Sequence, residues 1–127
     1  MTNTKKKLLI IEDDEAILFS LKKKLELIPE IQIFSALNGE EGLKIAIDET
    51  PDLILLDIVL PKMNGLEMLK KFRQKNPSKD VKVIILSNLS NTNVEAEAVE
   101  LGVKMYIIKA DWKLEDVITK VKESLEI

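Results

Sequence analysis

Four apolar runs in this chain each end on a polar residue suited to phosphate or metal chemistry. Leu8-Leu9-Ile10-Ile11 runs into Glu12-Asp13-Asp14-Glu15, and Leu53-Ile54-Leu55-Leu56 runs into Asp57. Val83-Ile84-Ile85-Leu86 ends on Ser87, and Tyr106-Ile107-Ile108 ends on Lys109. Glu12, Asp13 and Asp57 gathered in one place would repel by roughly 4 kcal/mol per pair at about 4 Å and an effective dielectric near 20. Such a cluster needs a cation or displaced pKa values. The chain has neither histidine nor cysteine. Its metal chemistry is therefore oxygen-only, which favours Mg2+ first, with Mn2+ or Ca2+ behind it. Three carboxylates, one divalent ion and the Lys109 ammonium sum to neutrality, which suits a pocket that takes on one added phosphoryl group.

Phosphoryl transfer passes through a loose, in-line transition state that needs positioning and charge neutralisation more than a base. An ionised carboxylate is already a nucleophile, so the lack of histidine is no obstacle. The ion and Lys109 would each cover phosphoryl oxygens, and the Ser87 hydroxyl would donate to a third. Every residue also has a plainer use. An acidic run before a helix complements the helix dipole, and Asp14 or Glu15 is expected to do only that. Asp57 could be a turn residue ahead of Pro61 and Asn64-Gly65, Ser87 a helix cap, and Lys109 a surface charge. Their joint placement at strand ends outweighs these readings.

The elements follow from the same pattern. Unbroken apolar runs read as strands buried on both faces of a parallel sheet, whose carboxyl ends share the ligand-binding edge. A further strand fits Ile31 to Ala36. Between the strands lie amphipathic segments. The first shows Ile17, Leu18, Leu21, Leu25 and Ile28, stopped by Pro29. The second opens on Asn38-Gly39-Glu40-Glu41 and turns Leu43, Ala46 and Ile47 inward. The third opens on Asn64-Gly65-Leu66-Glu67, turns Leu66, Leu69 and Phe72 inward, and ends at Asn76-Pro77. The fourth starts near Asn91, shows Val94, Ala98 and Leu101, and closes on Gly102 as a C′ glycine. The fifth starts near Asp111 and carries Leu114, Val117, Ile118, Val121 and Leu125. The expectation is an α/β domain over 1–127, (βα)5 and doubly wound, with no output domain.

With 127 residues, 46% of them hydrophobic, the chain is long enough for one real core. A formal net charge of -3 leaves no basic surplus to neutralise nucleic-acid phosphates. No apolar run nears the ~20 residues of a membrane helix. The basic start, Met1 to Lys7, precedes only four apolar residues and then acids, too short for a secretory signal. The expected setting is the cytoplasm, with no nucleic acid and no membrane as partner.

At these residues the chain resembles the receiver domains of bacterial two-component response regulators, close to the chemotaxis-type single-domain members, over essentially its whole length. The motifs are Leu8 to Glu15, Asp52 to Glu67 (Asp-Leu-Ile-Leu-Leu-Asp-Ile-Val-Leu-Pro-Lys-Met-Asn-Gly-Leu-Glu), Val83 to Ser87, and Tyr106 to Lys109. The resemblance implies a flavodoxin-like five-stranded sheet of order 2-1-3-4-5. It implies that Asp57 is the phosphoacceptor, charged from a phosphohistidine on a histidine kinase or histidine phosphotransfer protein. Asp13 would ligate Mg2+ directly, Glu12 through water, and Val59 through its backbone carbonyl. Ser87 would follow the phosphoryl oxygen and Tyr106 would swing inward behind it. The surface of the fourth helix, fifth strand and fifth helix would then change its preference for a downstream protein. The chain would act as a monomer or a phosphorylation-linked homodimer. It would be no independent enzyme, catalysing only its own phosphorylation and slow dephosphorylation.

Some positions depart from the family pattern. Ala110 follows the lysine where proline in a cis bond is usual, and Asn88 stands where alanine is frequent, narrowing access to the site. Val59 and Leu89 are apolar where the family tunes water access, so slow hydrolysis is expected. Trp112, three residues past Lys109, is expected to cover the last helix and to report metal or phosphate by fluorescence. Other classes fit less well. A haloacid-type phosphohydrolase wants a second aspartate two residues after the nucleophile, where Val59 stands. A nucleotide or flavin binder wants a glycine-rich loop where Glu12-Asp13-Asp14 stands. A phosphorylation-independent pseudo-receiver scaffold and a phosphorelay intermediate without direct output stay open.

Overall fold

A computed structural model describes residues 4–75 and 81–127. Its elements in chain order are β1 (Lys6–Ile11), α1 (Glu15–Leu25), β2 (Ile31–Ala36), α2 (Gly39–Glu49), β3 (Leu53–Leu56) and α3 (Gly65–Lys75). There follow β4 (Lys82–Ser87), α4 (Thr92–Glu100), β5 (Met105–Ile108), a short 3-10 turn (Lys109–Asp111) and α5 (Leu114–Leu125). The five strands form one sheet in the order β2-β1-β3-β4-β5, and every pairing is parallel. This is the (βα)5 arrangement that the alternation of apolar runs and amphipathic segments predicts.

Side chains alternate across a strand, so each apolar run feeds two cores at once. Leu8, Ile10, Leu53, Leu55, Ile84, Leu86 and Ile107 pack with Leu18, Leu21 and Leu25 of α1 and Val117, Val121 and Leu125 of α5. Leu9, Ile11, Ile54, Leu56 and Val83 point to the other face, against Ala46 of α2 and Met68, Leu69 and Phe72 of α3. Ala98 of α4 meets Ile85, Ile58 and Leu66 on that second face. Burial of each such Leu or Ile is worth about 1.5–3 kcal/mol. This explains why β3, four residues long and wholly buried, holds the centre of the sheet.

Several boundaries differ from the sequence expectation. Helix α1 ends at Leu25, so Ile28 lies beyond it, still packed on the core. Pro29 disfavours helical backbone at the residue before it, so the helix stops short of that point. On α2 the inner face is Gly42 and Ala46 with half-buried Leu43 and Ile45, whereas Ile47 is exposed. Ile47 is one residue, or about 100°, past Ala46 and has turned away from the sheet. Helix α5 starts at Leu114 rather than near Asp111, because Lys109–Asp111 wind into the 3-10 turn first. The expected stop of α3 at Asn76-Pro77 lies outside the described residues. Gly102 closes α4 with φ +79°, the left-handed conformation expected of a C′ glycine. Among the described residues no helix is long and apolar enough to cross a membrane.

Candidate functional site

The carboxyl ends of the parallel strands share one edge, and the helices start from it. Asp14 caps α1, its carboxylate accepting from the Ala16 and Ile17 amides at 3.0 and 3.2 Å. Asn38, Asn64 and Asn91 cap α2, α3 and α4 by accepting from the Glu41, Glu67 and Val94 amides at 2.8, 2.9 and 2.9 Å. Of the acidic run, Asp14 is therefore the member used for capping, which leaves Glu12 and Asp13 for the edge itself.

There the charges converge. Carboxylate oxygens of Glu12, Asp13 and Asp57 lie within 4.8 Å of one another. Glu12 and Asp57 are buried, with 2% and 5% of their surface exposed, and Asp13 is open to solvent. Lys109 Nζ bridges two of them, donating to Asp57 Oδ2 at 2.7 Å and pairing with Glu12 Oε1 at 2.8 Å. The second Glu12 oxygen accepts from the Asp14 amide at 3.0 Å, and Asp57 Oδ1 accepts from the Val59 amide at 3.2 Å. One ammonium thus answers three carboxylates and leaves two negative charges over. A hard divalent cation held by Glu12, Asp13 and Asp57 matches both that charge and the all-oxygen donor set.

Electrostatics bear the strain out. Burial pushes the Glu12 carboxyl above the usual carboxylate range, and the Asp57 charge adds to this; the bonds from Lys109 and the Asp14 amide offset it only in part. Burial also acts to lower the Lys109 pKa, but its hydrogen bonds and charge interactions with Asp57 and Glu12 outweigh that and raise it. Lys109 therefore stays cationic at neutral pH. For Glu12 the raised value means that folding favours its protonated form. Its stability contribution is full below pH 4.5 and is lost as pH climbs through the raised value. In metal-free protein, Glu12→Gln should accordingly stabilise the fold at pH 7 by about 0.5–2 kcal/mol, a gain common where function has been bought with stability. Urea midpoints at pH 7 and pH 4 in the presence of a chelator check this, since the gain must fade at the lower pH.

Ser87 closes β4 with no exposed surface and pairs in register with Ile108, one residue before Lys109. Because β4 lies between β3 and β5, that register puts Ser87 on the same edge as Asp57 and Lys109. Its hydroxyl oxygen accepts from the Leu89 amide at 3.3 Å. Tyr106, half-buried on β5, donates its phenol to the Leu89 carbonyl. Burial, then the charges of Glu95 and Asp57, raise the pKa of that phenol, which keeps it a donor. Val59 and Leu89 are exposed at 59% and 37% and border an open groove of about 540 Å3 with Ile58, Leu66 and Val94. Trp112 packs against the core beside Lys109 in a hollow of about 360 Å3 between α1 and α5.

The Lys109–Ala110 bond is trans, since no peptide bond among the described residues is cis. Asn88, expected only to crowd the entrance, instead accepts from the Ala110 amide through Oδ1 at 3.0 Å. A second contributor that spacing alone did not reveal is Gly65. A side chain there would overlap the Asp57 carbonyl oxygen and stand 2.9 Å from Ile58 Cα. The glycine after the Asn64 cap was the available signal, but only the packing shows what it touches.

A family model for the response regulator receiver domain matches residues 8–122. The nitrate/nitrite response regulator protein NarL of Escherichia coli K12 is 35% identical over 118 residues, which are 92% of this chain and 53% of that protein. The transcriptional regulatory protein YdfI of Bacillus subtilis is 34% identical over 104 residues, 81% of this chain and 47% of that protein. The chain thus spans about half the length of these curated relatives. Among solved structures, a CheY-like response regulator receiver domain from Methanospirillum hungatei superposes with a TM-score of 0.87 at 32% identity, covering 97% of this chain and 95% of that one. The BeF3-activated DrrB receiver domain gives a TM-score of 0.81 at 27% identity, covering 98% and 100%. With the parallel 2-1-3-4-5 sheet and the acidic edge already described, these matches place the chain in the response regulator receiver domain family of two-component systems.

Proposed function

We propose that this receiver accepts a phosphoryl group on Asp57 from a phosphohistidine of a partner kinase or phosphotransfer protein. The observation that carries the reading is the cluster itself: three carboxylates within 4.8 Å, with Lys109 bound to Asp57 and Glu12 at once. A chain without histidine takes its phosphoryl group from outside.

In the transfer, an Asp57 carboxylate oxygen forms the new O–P bond as the N–P bond of the donor breaks, and the donor imidazole leaves with the electron pair. Glu12, Asp13 and Asp57, with the Val59 carbonyl, would hold Mg2+ (or Mn2+), which supplies charge neutralisation at the phosphoryl oxygens. Lys109 is the chain's own cation for a second phosphoryl oxygen, and the Ser87 hydroxyl is the donor for a third. Asp57 gives up its bond from Lys109 Nζ as the phosphoryl group arrives, and the ammonium follows the new negative charge. The Ser87 hydroxyl turns toward that charge, Tyr106 moves in behind it, and the α4–β5–α5 surface repacks for a downstream protein. The chain turns over no substrate beyond its own aspartyl phosphate and works in the cytoplasm, where its phosphohistidine donor resides.

Incubation with Mg2+ and acetyl phosphate should add one phosphoryl mass to the wild type and none to Asp57→Asn. Uptake that survives the substitution, or none in the wild type, refutes the reading; the second result leaves a phosphorylation-independent scaffold. The exposed side chains of Val59 and Leu89 offer no polar group to guide water to the phosphorus of the aspartyl phosphate. Leu89→Glu should therefore shorten the phosphoryl lifetime by about tenfold, less than the 10²–10⁴-fold of a fully positioned general base because this site is half open to solvent. Equal decay rates, followed by intact mass, would end that idea.

A further inference from the structure

The sheet stops fixing the two strands just where the site needs them fixed. The β4–β5 ladder ends at the pair Ser87 and Ile108. Beyond it the chain turns away on one side into the loop before α4 and on the other into the 3-10 turn that begins at Lys109. Ser87 and Lys109 thus lie at the last rung and one step past it, on strands that no longer hold each other. A side chain spans the gap between the residues that follow them. Asn88, next to Ser87, reaches the amide of Ala110, next to Lys109, at 3.0 Å.

We propose that Asn88 is a positioning residue, whose bond to the Ala110 amide adds a side-chain rung to the sheet and sets Ser87 and Lys109 at a fixed spacing before the phosphoryl group arrives. Its chemistry is specific. The acceptor must be short and planar, and position 110 must carry an N–H, so proline there would abolish the rung. The trans Lys109–Ala110 bond and the 3-10 turn present that amide to Asn88. Tyr106, through the Leu89 carbonyl, ties the same loop to β5 one residue further on. That tie depends on a phenol expected to move in switching, whereas the Asn88 bond ends on the backbone amide of Ala110. Groups held in place beforehand lose less freedom at the transition state, which is where the rung acts.

The consequence for chemistry rests on the phosphoryl-transfer reading, and two measurements separate them. First, hydrogen exchange of the Ala110 amide, followed by NMR without metal, should be about threefold to tenfold faster in Asn88→Ala, the scale of one exposed hydrogen bond. Asn88→Asp, which keeps the acceptor, should restore protection. Second, phosphorylation by acetyl phosphate at saturating Mg2+ should slow about threefold to tenfold in Asn88→Ala and in Ala110→Pro. The double variant should be no slower than the slower single one, because both remove the same bond. Mg2+ affinity, read from Trp112 fluorescence, should stay as in the wild type. Unchanged exchange, additive rate losses, or a wild-type rate in Asn88→Ala each overturn the proposal. A wild type that takes no phosphoryl group overturns it together with the receiver chemistry, and faster exchange in Asn88→Ala then marks the chemistry, not the bond, as the failure.

Discussion

Asp13→Asn, or removal of divalent ions by a chelator, should slow phosphorylation of Asp57 by 10²–10³-fold, the scale of losing one preorganised charge-stabilising group. The reasoning is the charge balance at the edge of the sheet. Lys109 already answers Asp57 and Glu12 through bonds of 2.7 and 2.8 Å, and two negative charges remain. A dianionic phosphoryl group brought to that site unneutralised meets repulsion of roughly 4 kcal/mol per unit charge at about 4 Å and an effective dielectric near 20. Asp13 is the suitable member to change because it is exposed, while Glu12 and Asp57 are buried and paired. The fold should therefore survive, with a urea midpoint at or above that of the wild type. Intact mass after timed incubation with acetyl phosphate gives the rates. Full-speed phosphorylation in a chelator would remove the metal from the account altogether.

Gly65→Val should cost about 3 kcal/mol and lower the melting temperature by roughly 10 °C. The atoms in the way are backbone, the Asp57 carbonyl oxygen and Ile58 Cα, and backbone cannot rotate aside. Helix α3 would have to retreat, losing the 2.8 Å bond from the Gly65 amide to the Ile58 carbonyl. Leu66, Met68, Leu69 and Phe72, all buried, would be drawn off the sheet with it. Gly102→Ala is the internal comparison. That glycine has a positive φ of +79°, but an added Cβ meets only an ordinary van der Waals contact, Arg73 Nη2 at 3.6 Å. Its cost is conformational only, about 1 kcal/mol. Calorimetry on both variants separates the two causes, and a Gly65 variant no worse than the Gly102 one would show that α3 tolerates displacement.

The packing also explains which parts of the molecule could be read from residue order. Apolar runs such as Leu53 to Leu56 have one stable use in a small chain, burial on both faces, so strands and the edge they share follow from hydropathy. Caps are local as well, and Asn38, Asn64 and Asn91 bond within three residues of themselves. Helix ends resisted reading where a distant contact competed. Residues 109–111 form a tight turn instead of the first turn of α5, in a segment whose Lys109 reaches back to Asp57 and whose Ala110 amide is taken by Asn88.

The amino-acid order by itself determined the βα alternation, the caps and the set of groups at one edge: Glu12, Asp13, Asp57, Ser87 and Lys109. These depend on period and on neighbours a few residues away, which any reader of the chain can count. Only the tertiary structure decided that one ammonium bridges Asp57 and Glu12, that Gly65 lies against the Asp57 carbonyl, and that Asn88 meets Ala110. Those contacts join residues 8 to 97 positions apart, and their distances are set by strand order and register and, for Gly65, by how α3 seats on the sheet, none of which a local pattern encodes.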